Sequence, residues 1–356
     1  MNILNTAAPV SGLPLIDMSV ASMDPSTELS VKGRCPPAIV ALPLLPESLP
    51  MPLSYAQNLE DFQLSLAFPN QTSGFYIDIG GGHPVADNVS LWFYERGWSG
   101  LVVEPQAALA AMYAHVRPRD AVVSCLVGRA EAQVDFHVFD RFHGLSTIVP
   151  GHAGVAAGLG EVPRVERRAM TTLAALCSAH GVGTIDFLKV DVEGAEADVL
   201  AGNDWARFRP RVVVLEAIAP GTGAPAWDAF EPYLLAQGYR FVLFDTLNRF
   251  YVASEHPKIA ARFDGARADW ASATHLYEIG RAPETAAHPD HALASDLARG
   301  FWAGLPAMEA DDLARMILRG RGEAGGAVAA TAAWLRSPEG RIARGRIACG
   351  YDGGQV

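Results

Sequence analysis

The chain has 356 residues, half of them hydrophobic, and a formal net charge of −11. That length holds one large domain with appendages or two domains, and the apolar share is ample for a buried core. The acidic balance excludes nucleic acid or an anionic membrane surface as the main partner. Cys35, Cys125, Cys177 and Cys349 are scattered with no CxxC spacing, which excludes a zinc site and a disulfide framework.

The N-terminus has no basic region followed by an apolar core, so no secretory signal is expected. The apolar stretch Pro36–Leu53 carries Glu47 and is cut by prolines at 36, 37, 43, 46, 50 and 52. It is too short and too broken for a spanning helix. Residues 1–53 therefore read as a Pro-rich arm or linker. Cysteine usage fits a reducing compartment, the cytoplasm.

From Gly74 to about Tyr277 apolar runs alternate with amphipathic segments. Strands are expected at 75–79, 100–103, 121–127, 185–190, 211–216, 239–244 and 248–253, and helices at 88–97, 107–115, 171–180, 193–201, 226–237 and 257–263. Such alternation implies an α/β fold with a parallel sheet covered by helices on both faces. FYIDI, LVVE, FLKVD and RVVVLE are apolar on both parities, as buried parallel strands should be. Beyond about Arg281 the chain turns rich in Ala, Arg and Gly. Helices are expected at 290–303, 309–319 and 327–336, with a Gly-rich break at 320–326. Residues 282–356 read as a small helical appendage or a partly ordered tail.

The chemistry concentrates at strand ends. FYIDIGGG (Phe75–Gly82) runs into Asp78 and three glycines, and LVVEP (Leu101–Pro105) ends in Glu104. Glycines let a backbone approach a ligand, and the second acid can accept hydrogen bonds from a ribose diol. A dinucleotide fingerprint needs a third Gly or Ala opening a helix, but Val85 stands there and Pro84 disturbs the turn. Asp78 suits a ligand with an ammonium group, such as the methionine end of S-adenosylmethionine (SAM). A dinucleotide site and a glycine turn with no ligand remain open on these residues alone.

DFLKVDVEGAE (Asp186–Glu196) is the second constellation. Glu196 fits the first turn of a helix, where the dipole favours acids. Asp191 ends a buried strand at the ligand edge and needs a partner: an acceptor hydroxyl, a divalent cation or a basic side chain. Glu216 ends the next strand, and the pair could bind Mg²⁺, which accepts few carboxylates. Lys189 would pair with a site acid or, with its pKa lowered, act as a base. His83, directly after the glycines, is a candidate general base or an ordinary loop histidine. His143, before a polar GLST loop, has the same two readings.

Six blocks in consistent order resemble methyltransferases of the FkbM type: SYAQNLEDFQL (Ser54–Leu64), FYIDIGGGHP, ERGWSGLVVEP (Glu95–Pro105), IDFLKVDVEGAEADVLAG (Ile185–Gly202), RPRVVVLEA (Arg209–Ala217) and FDTLNRFYVASEH (Phe244–His256). The last resembles a bacterial branch associated with surface-polysaccharide biosynthesis. The resemblance implies a domain over about 54–281 with the class I SAM-dependent methyltransferase fold, a mostly parallel seven-stranded sheet with helices on both faces and its last strand antiparallel. It implies methyl transfer from SAM to a hydroxyl, commonly on a sugar of a surface glycan or a glycosylated metabolite. Carried over by residue, Asp78, Gly80 and Gly82 would cradle the methionine end, Glu104 the ribose, and Cys125 and Leu126 the adenine. Gln57, Glu60 and Asp61 would close over the cofactor, and Asp191, Glu193 and Glu216 would face the acceptor. His83 stands where many members have a smaller or acidic residue, which leaves the base open. An NAD(P)-dependent oxidoreductase and an inactive glycan-binding module are the alternatives. The partner is a small-molecule or glycan acceptor, with the C-terminal helices available for contact with a second copy.

Overall fold

The computed structural model describes residues 52–351, apart from 141–142, 159, 161, 220–222, 266–272, 279–280, 287 and 321–326. The arm expected over 1–53 lies, for residues 1–51, outside the described residues, as does Cys35. Twelve strands are described: β1 Leu53–Ser54, β2 Phe75–Ile79, β3 Ser99–Val103, β4 Ala121–Val123, β5 Leu126–Val127, β6 Ala132–Val138, β7 Arg164–Thr171, β8 Phe187–Val190, β9 Val212–Glu216, β10 Tyr239–Phe244, β11 Asn248–Ala253 and β12 Thr274–His275.

Seven of them form the central sheet in the order β10-β11-β9-β8-β2-β3-β4. The sheet is mixed: β4, β3, β2, β8 and β9 run parallel, whereas β11 is antiparallel to both its neighbours. A short link at 245–247 makes an antiparallel return to β11 the direct route, since parallel pairing would need a crossover.

Side-chain parity divides the core. Ile77, Ile79, Leu188, Val190, Val213 and Leu215 join one apolar cluster, with Leu173, Leu176 and Cys177 of helix α5 (Leu173–Ala179) and Val199 and Leu200 of α6 (Glu196–Ala201). Tyr76, Val102, Phe187, Val212, Val214 and Phe250 join the other, with Leu64 of α1 (Glu60–Ala67), Phe93 of α2 (Leu91–Glu95) and Tyr113 of α3 (Ala107–Val116). Period-two alternation thus loads both faces, and continuous apolar strands are the consequence. After β2 the chain proceeds outward through β3 and β4, and then returns to the other side of β2 as β8. Strand order therefore reverses between β2 and β8, the place where such sheets open a crevice beyond their carboxyl ends.

The expected strand 121–127 is broken. β4 stops at Val123, and Leu126–Val127 leaves for a separate three-stranded sheet, β5-β7-β6. Between β6 and β7 lie a 3₁₀ turn (His143–Leu145) and helix α4 (Pro150–Ala157). β1 pairs in parallel with β12, so the segment leading into α1 is tied to residues 274–275.

The remaining helices follow in order: α7 Glu231–Ala236, α8 Pro257–Ala260, α9 His291–Gly304, α10 Ala310–Gly320, α11 Val328–Arg336 and α12 Pro338–Tyr351. The end of α9 with α10 and α11 builds a small core of its own from Leu305, Ala310, Leu313, Ala314, Ala332 and Leu335. α12 was not expected from sequence, since its run PEGRIARGRIACGY contains three glycines, poor helix formers. Among the described residues no helix is long and apolar enough to cross a membrane.

Candidate active site

A cavity of about 570 Å³ opens beyond the carboxyl ends of β2, β3, β8 and β9. Its floor is the glycine turn. The N–H groups of Gly80 and Gly81 both donate to Val103 O, at 2.9 and 3.1 Å, and this folds the turn over β3. Gly80 has φ +81°, and a Cβ there would stand 1.8 Å from the carbonyl oxygen of Asp191. Glycine is therefore required where β2 and β8 converge. Gly82, at φ +58°, has no atom within 4 Å of where its Cβ would be, which leaves open space against the backbone.

Glu104 is buried at the end of β3. Its Oε2 accepts the N–H of Gly82 at 2.8 Å and its Oε1 that of Gln106 at 2.7 Å. A carboxylate has about four lone-pair sites, so each oxygen keeps acceptor capacity for a ligand diol. Burial raises its pKa to about 7 against the opposing pull of those two N–H groups.

Asp78 does not line the cavity. Fully buried, its Oδ2 accepts from Ser90 Oγ at 2.5 Å. Ser90 and the Tyr76 hydroxyl both accept from Arg117, itself buried and paired with Asp120 at 2.7 Å. Asp78 and Lys189 are register partners on β2 and β8, so both project to one face, and Lys189 Nζ lies 3.8 Å from Asp78 Oδ1. Asp78 thus supports the glycine turn from behind. Glu60 and Asp61 are also absent from the lining, in contrast to Gln57. Asp61 accepts from Ser54 Oγ and the N–H groups of Tyr55, Ala56 and Phe62, and Glu60 accepts from Asn248 Nδ2 and Asn58 N. Burial pushes Glu60 up to about 8, with Asp245 beside it adding to the shift, and Asp61 up to about 6. These acids fasten the segment that carries Gln57.

Cys125 and Leu126 line the cavity at the break between β4 and β5, with Phe136 of β6 and the loop His143–Ile148 as the facing wall. Gln106 Nε2 donates to His143 O at 2.9 Å, bridging the two. His83 also lines the cavity. Its Nδ1 accepts the N–H groups of Val85 and Ala86, at 3.1 and 3.0 Å. The neutral ring therefore carries its proton on Nε2 and presents a donor rather than the free lone pair a base requires.

The fourth side is acidic. Asp191, Glu193 and Glu216 each place a carboxylate oxygen within 4.8 Å of the others. Lys189 Nζ stands 3.2 Å from Asp191 Oδ2 and donates to Gly80 O at 3.3 Å. Burial alone would lower the lysine pKa, but Asp191 and Asp78 reverse this and the net shift is upward, so Lys189 is a cation and not a base. Burial, reinforced by neighbouring carboxylates, raises Glu193 to about 8 and Glu216 to about 11. One buried oxygen of Glu193 has no hydrogen-bond partner.

Glu193 owes its place to strained backbone. It sits at φ +56° and Gly194 at φ +100°. Two groups clamp its carbonyl: Thr147 Oγ1 donates at 2.8 Å, and His152 Nδ1 lies at 2.8 Å. The His152 ring fills the space beside Gly194, where a Cβ would come within 2.2 Å of it. Gly194→Ala combines an unfavourable φ with this clash and is expected to cost about 1–3 kcal/mol of stability. A Tm equal to wild type in a calorimetric scan would refute it.

Sequence reading missed Gln106, Phe136, Thr147 and His152. The alternation of Val134, Phe136 and Val138 with Asp135 and His137 is the signal that marks Phe136, whereas β7 is mostly exposed and the loop of Thr147 reaches the site only by folding back from that sheet.

The comparisons with known proteins fall on the same segment. The chain matches no curated protein. Residues 78–241, which carry the glycine turn, Glu104, Asp191, Glu193 and Glu216, match the family model for the Methyltransferase FkbM domain. The segment that builds the cavity is thus similar to FkbM methyltransferase domains.

Proposed function

We propose that the protein is a SAM-dependent O-methyltransferase acting on a hydroxyl of a sugar, in a surface glycan or a glycosylated metabolite. The observation that carries the cofactor reading is Glu104, buried beside the open backbone of Gly82 with acceptor capacity to spare, in one cavity with three further acids. The strand order, with β11 as the antiparallel strand one place in from the edge, agrees with the class I methyltransferase sheet. A dinucleotide is disfavoured because α2 begins only at Leu91, well past Gly82, so no helix N-terminus opens from the glycine turn to receive a diphosphate.

When bound, SAM supplies a sulfonium methyl group open to in-line attack by a hydroxyl. Glu104 accepts the ribose hydroxyls, Cys125 and Leu126 flank the base, and Gly80 and Gly82 lie along the amino-acid end, with Gln57 closing from above. Asp78 acts through the turn and Lys189. Asp191, Glu193 and Glu216 face the acceptor. At neutral pH burial leaves Glu193 and Glu216 protonated, so they orient an acceptor as donors. Asp191 receives the hydroxyl proton, with Lys189 holding its carboxylate in place. Alignment of acceptor and methyl donor can supply up to about 7–11 kcal/mol of the acceleration.

Mg²⁺ held by Asp191 and Glu216 is the alternative state of the same acids, and it would require Glu216 ionised in place of the protonated form above. Hard oxygen donors and the unpartnered oxygen of Glu193 suit it, and shared protons answer the same repulsion. Transfer of label from SAM to a panel of glycans, with and without EDTA, tests substrate and metal together. Label on a glycan hydroxyl supports the reading, a loss of transfer with EDTA supports the cation, and binding of NADH without SAM overturns both.

A further inference from the structure

The residue after the glycine turn is the one whose chemistry the methyl-transfer reading leaves unused. The amino-acid end of SAM brings a carboxylate as well as an ammonium group, and the cavity is poor in partners for an anion. Among the described lining residues Lys189 is the one non-histidine cation, and it is engaged by Asp191, Asp78 and Gly80 O. The Gln106 amide is spent on His143 O and the Thr147 hydroxyl on Glu193 O, which leaves the Gln57 amide, the Ser146 hydroxyl and the two histidines as side-chain donors. Glu104, Asp191, Glu193 and Glu216 add only acceptors or hydroxyls.

His83 differs. Val85 and Ala86 donate to its Nδ1, which pins the ring proton on Nε2. Burial, then the charge of His143, lowers its pKa, so the neutral donor is the form present near pH 7. Gly82 donates to Glu104 at 2.8 Å and His83 follows it in the same cavity wall, so a ligand with its ribose on Glu104 and its base against Cys125 and Leu126 has its remaining arm within the cavity that His83 lines. We propose that His83 is a cofactor-binding residue whose Nε2–H donates to the α-carboxylate of the methyl donor. The assignment rests on the SAM reading above.

The test is calorimetric titration with S-adenosylhomocysteine and with methylthioadenosine, the same thioether nucleoside without the amino-acid end. His83→Asn keeps an oxygen acceptor for the Val85 and Ala86 N–H groups but has no donor at the Nε2 position. Affinity for S-adenosylhomocysteine is expected to fall about ten- to hundredfold, the worth of a hydrogen bond to a charged group, while that for methylthioadenosine stays within about twofold. His83→Gln, whose amide nitrogen approaches the Nε2 position, is expected to retain S-adenosylhomocysteine binding within about threefold. Unchanged affinity in His83→Asn, or an equal fall for both ligands, overturns the assignment. Wild-type protein that binds neither ligand overturns the SAM reading itself.

Discussion

Asp191→Asn lowers methyl transfer by about 10²–10⁴-fold, the usual range for loss of a positioned proton acceptor, while S-adenosylhomocysteine still binds within about threefold of wild type. The backbone of Asp191 is held without its side chain: its N–H donates to Ile79 O at 3.0 Å, and its carbonyl lies against Gly80. Asparagine keeps the volume and loses the charge and the capacity to take a proton. Lys189 retains Asp78 and Gly80 O as partners, so the substitution does not strand a buried cation. Burial is the largest cause of the raised pKa of Glu193 and Glu216 and persists in the variant, so their proton-accepting ionised forms stay disfavoured. Single-turnover transfer to the acceptor found in the glycan screen, beside calorimetry, separates the two quantities. A variant with near-normal turnover refutes the role.

Glu104→Ala weakens SAM binding by one to two orders of magnitude. Hydrogen bonds to a charged acceptor contribute about 1.5–3 kcal/mol, which is about ten- to hundredfold in affinity. The loss also frees the N–H groups of Gly82 and Gln106, which loosens the turn on which the ligand lies. A pH dependence accompanies it. Burial raises the Glu104 pKa from its ordinary 4.5 to about 7, and the ionised form is the better acceptor for a diol. Affinity is therefore full about one pH unit above 7 and declines as pH falls through about 7, and Glu104→Gln abolishes that decline. Calorimetry showing unchanged affinity in Glu104→Ala, or a flat profile in wild type between pH 6 and about 8, would sink the assignment.

The central strands were legible because burial on both faces writes itself as an uninterrupted apolar run, and their ends because an acid or a glycine stops that run. FYIDI and FLKV appear as strands close to their expected limits, with Asp78 inside β2 and Asp191 one residue past β8. The β6–β7 pair was half legible: Val134, Phe136 and Val138 alternate with Asp135 and His137 and bury one face of β6, whereas β7, RVERRAMT, is mostly exposed and shows no such period. The break at Ser124–Cys125 escaped notice because AVV and LV are equally good strand formers, and only their partners differ.

The sequence by itself determined which residues carry charge at the strand ends, and that two apolar runs ending in acids flank a glycine turn. Which of those acids line the cavity was decided by tertiary structure. Asp78 sits one layer behind the cavity because strand register sets it against Lys189, and Glu60 and Asp61 are consumed by local hydrogen bonds. Glu193 reaches Asp191 and Glu216 only because Thr147 and His152, more than forty residues earlier, hold its carbonyl. Apolar patterning is local along the chain and can be read there. Register, desolvation and the occupancy of a lone pair depend on distances between segments that the order of residues does not state.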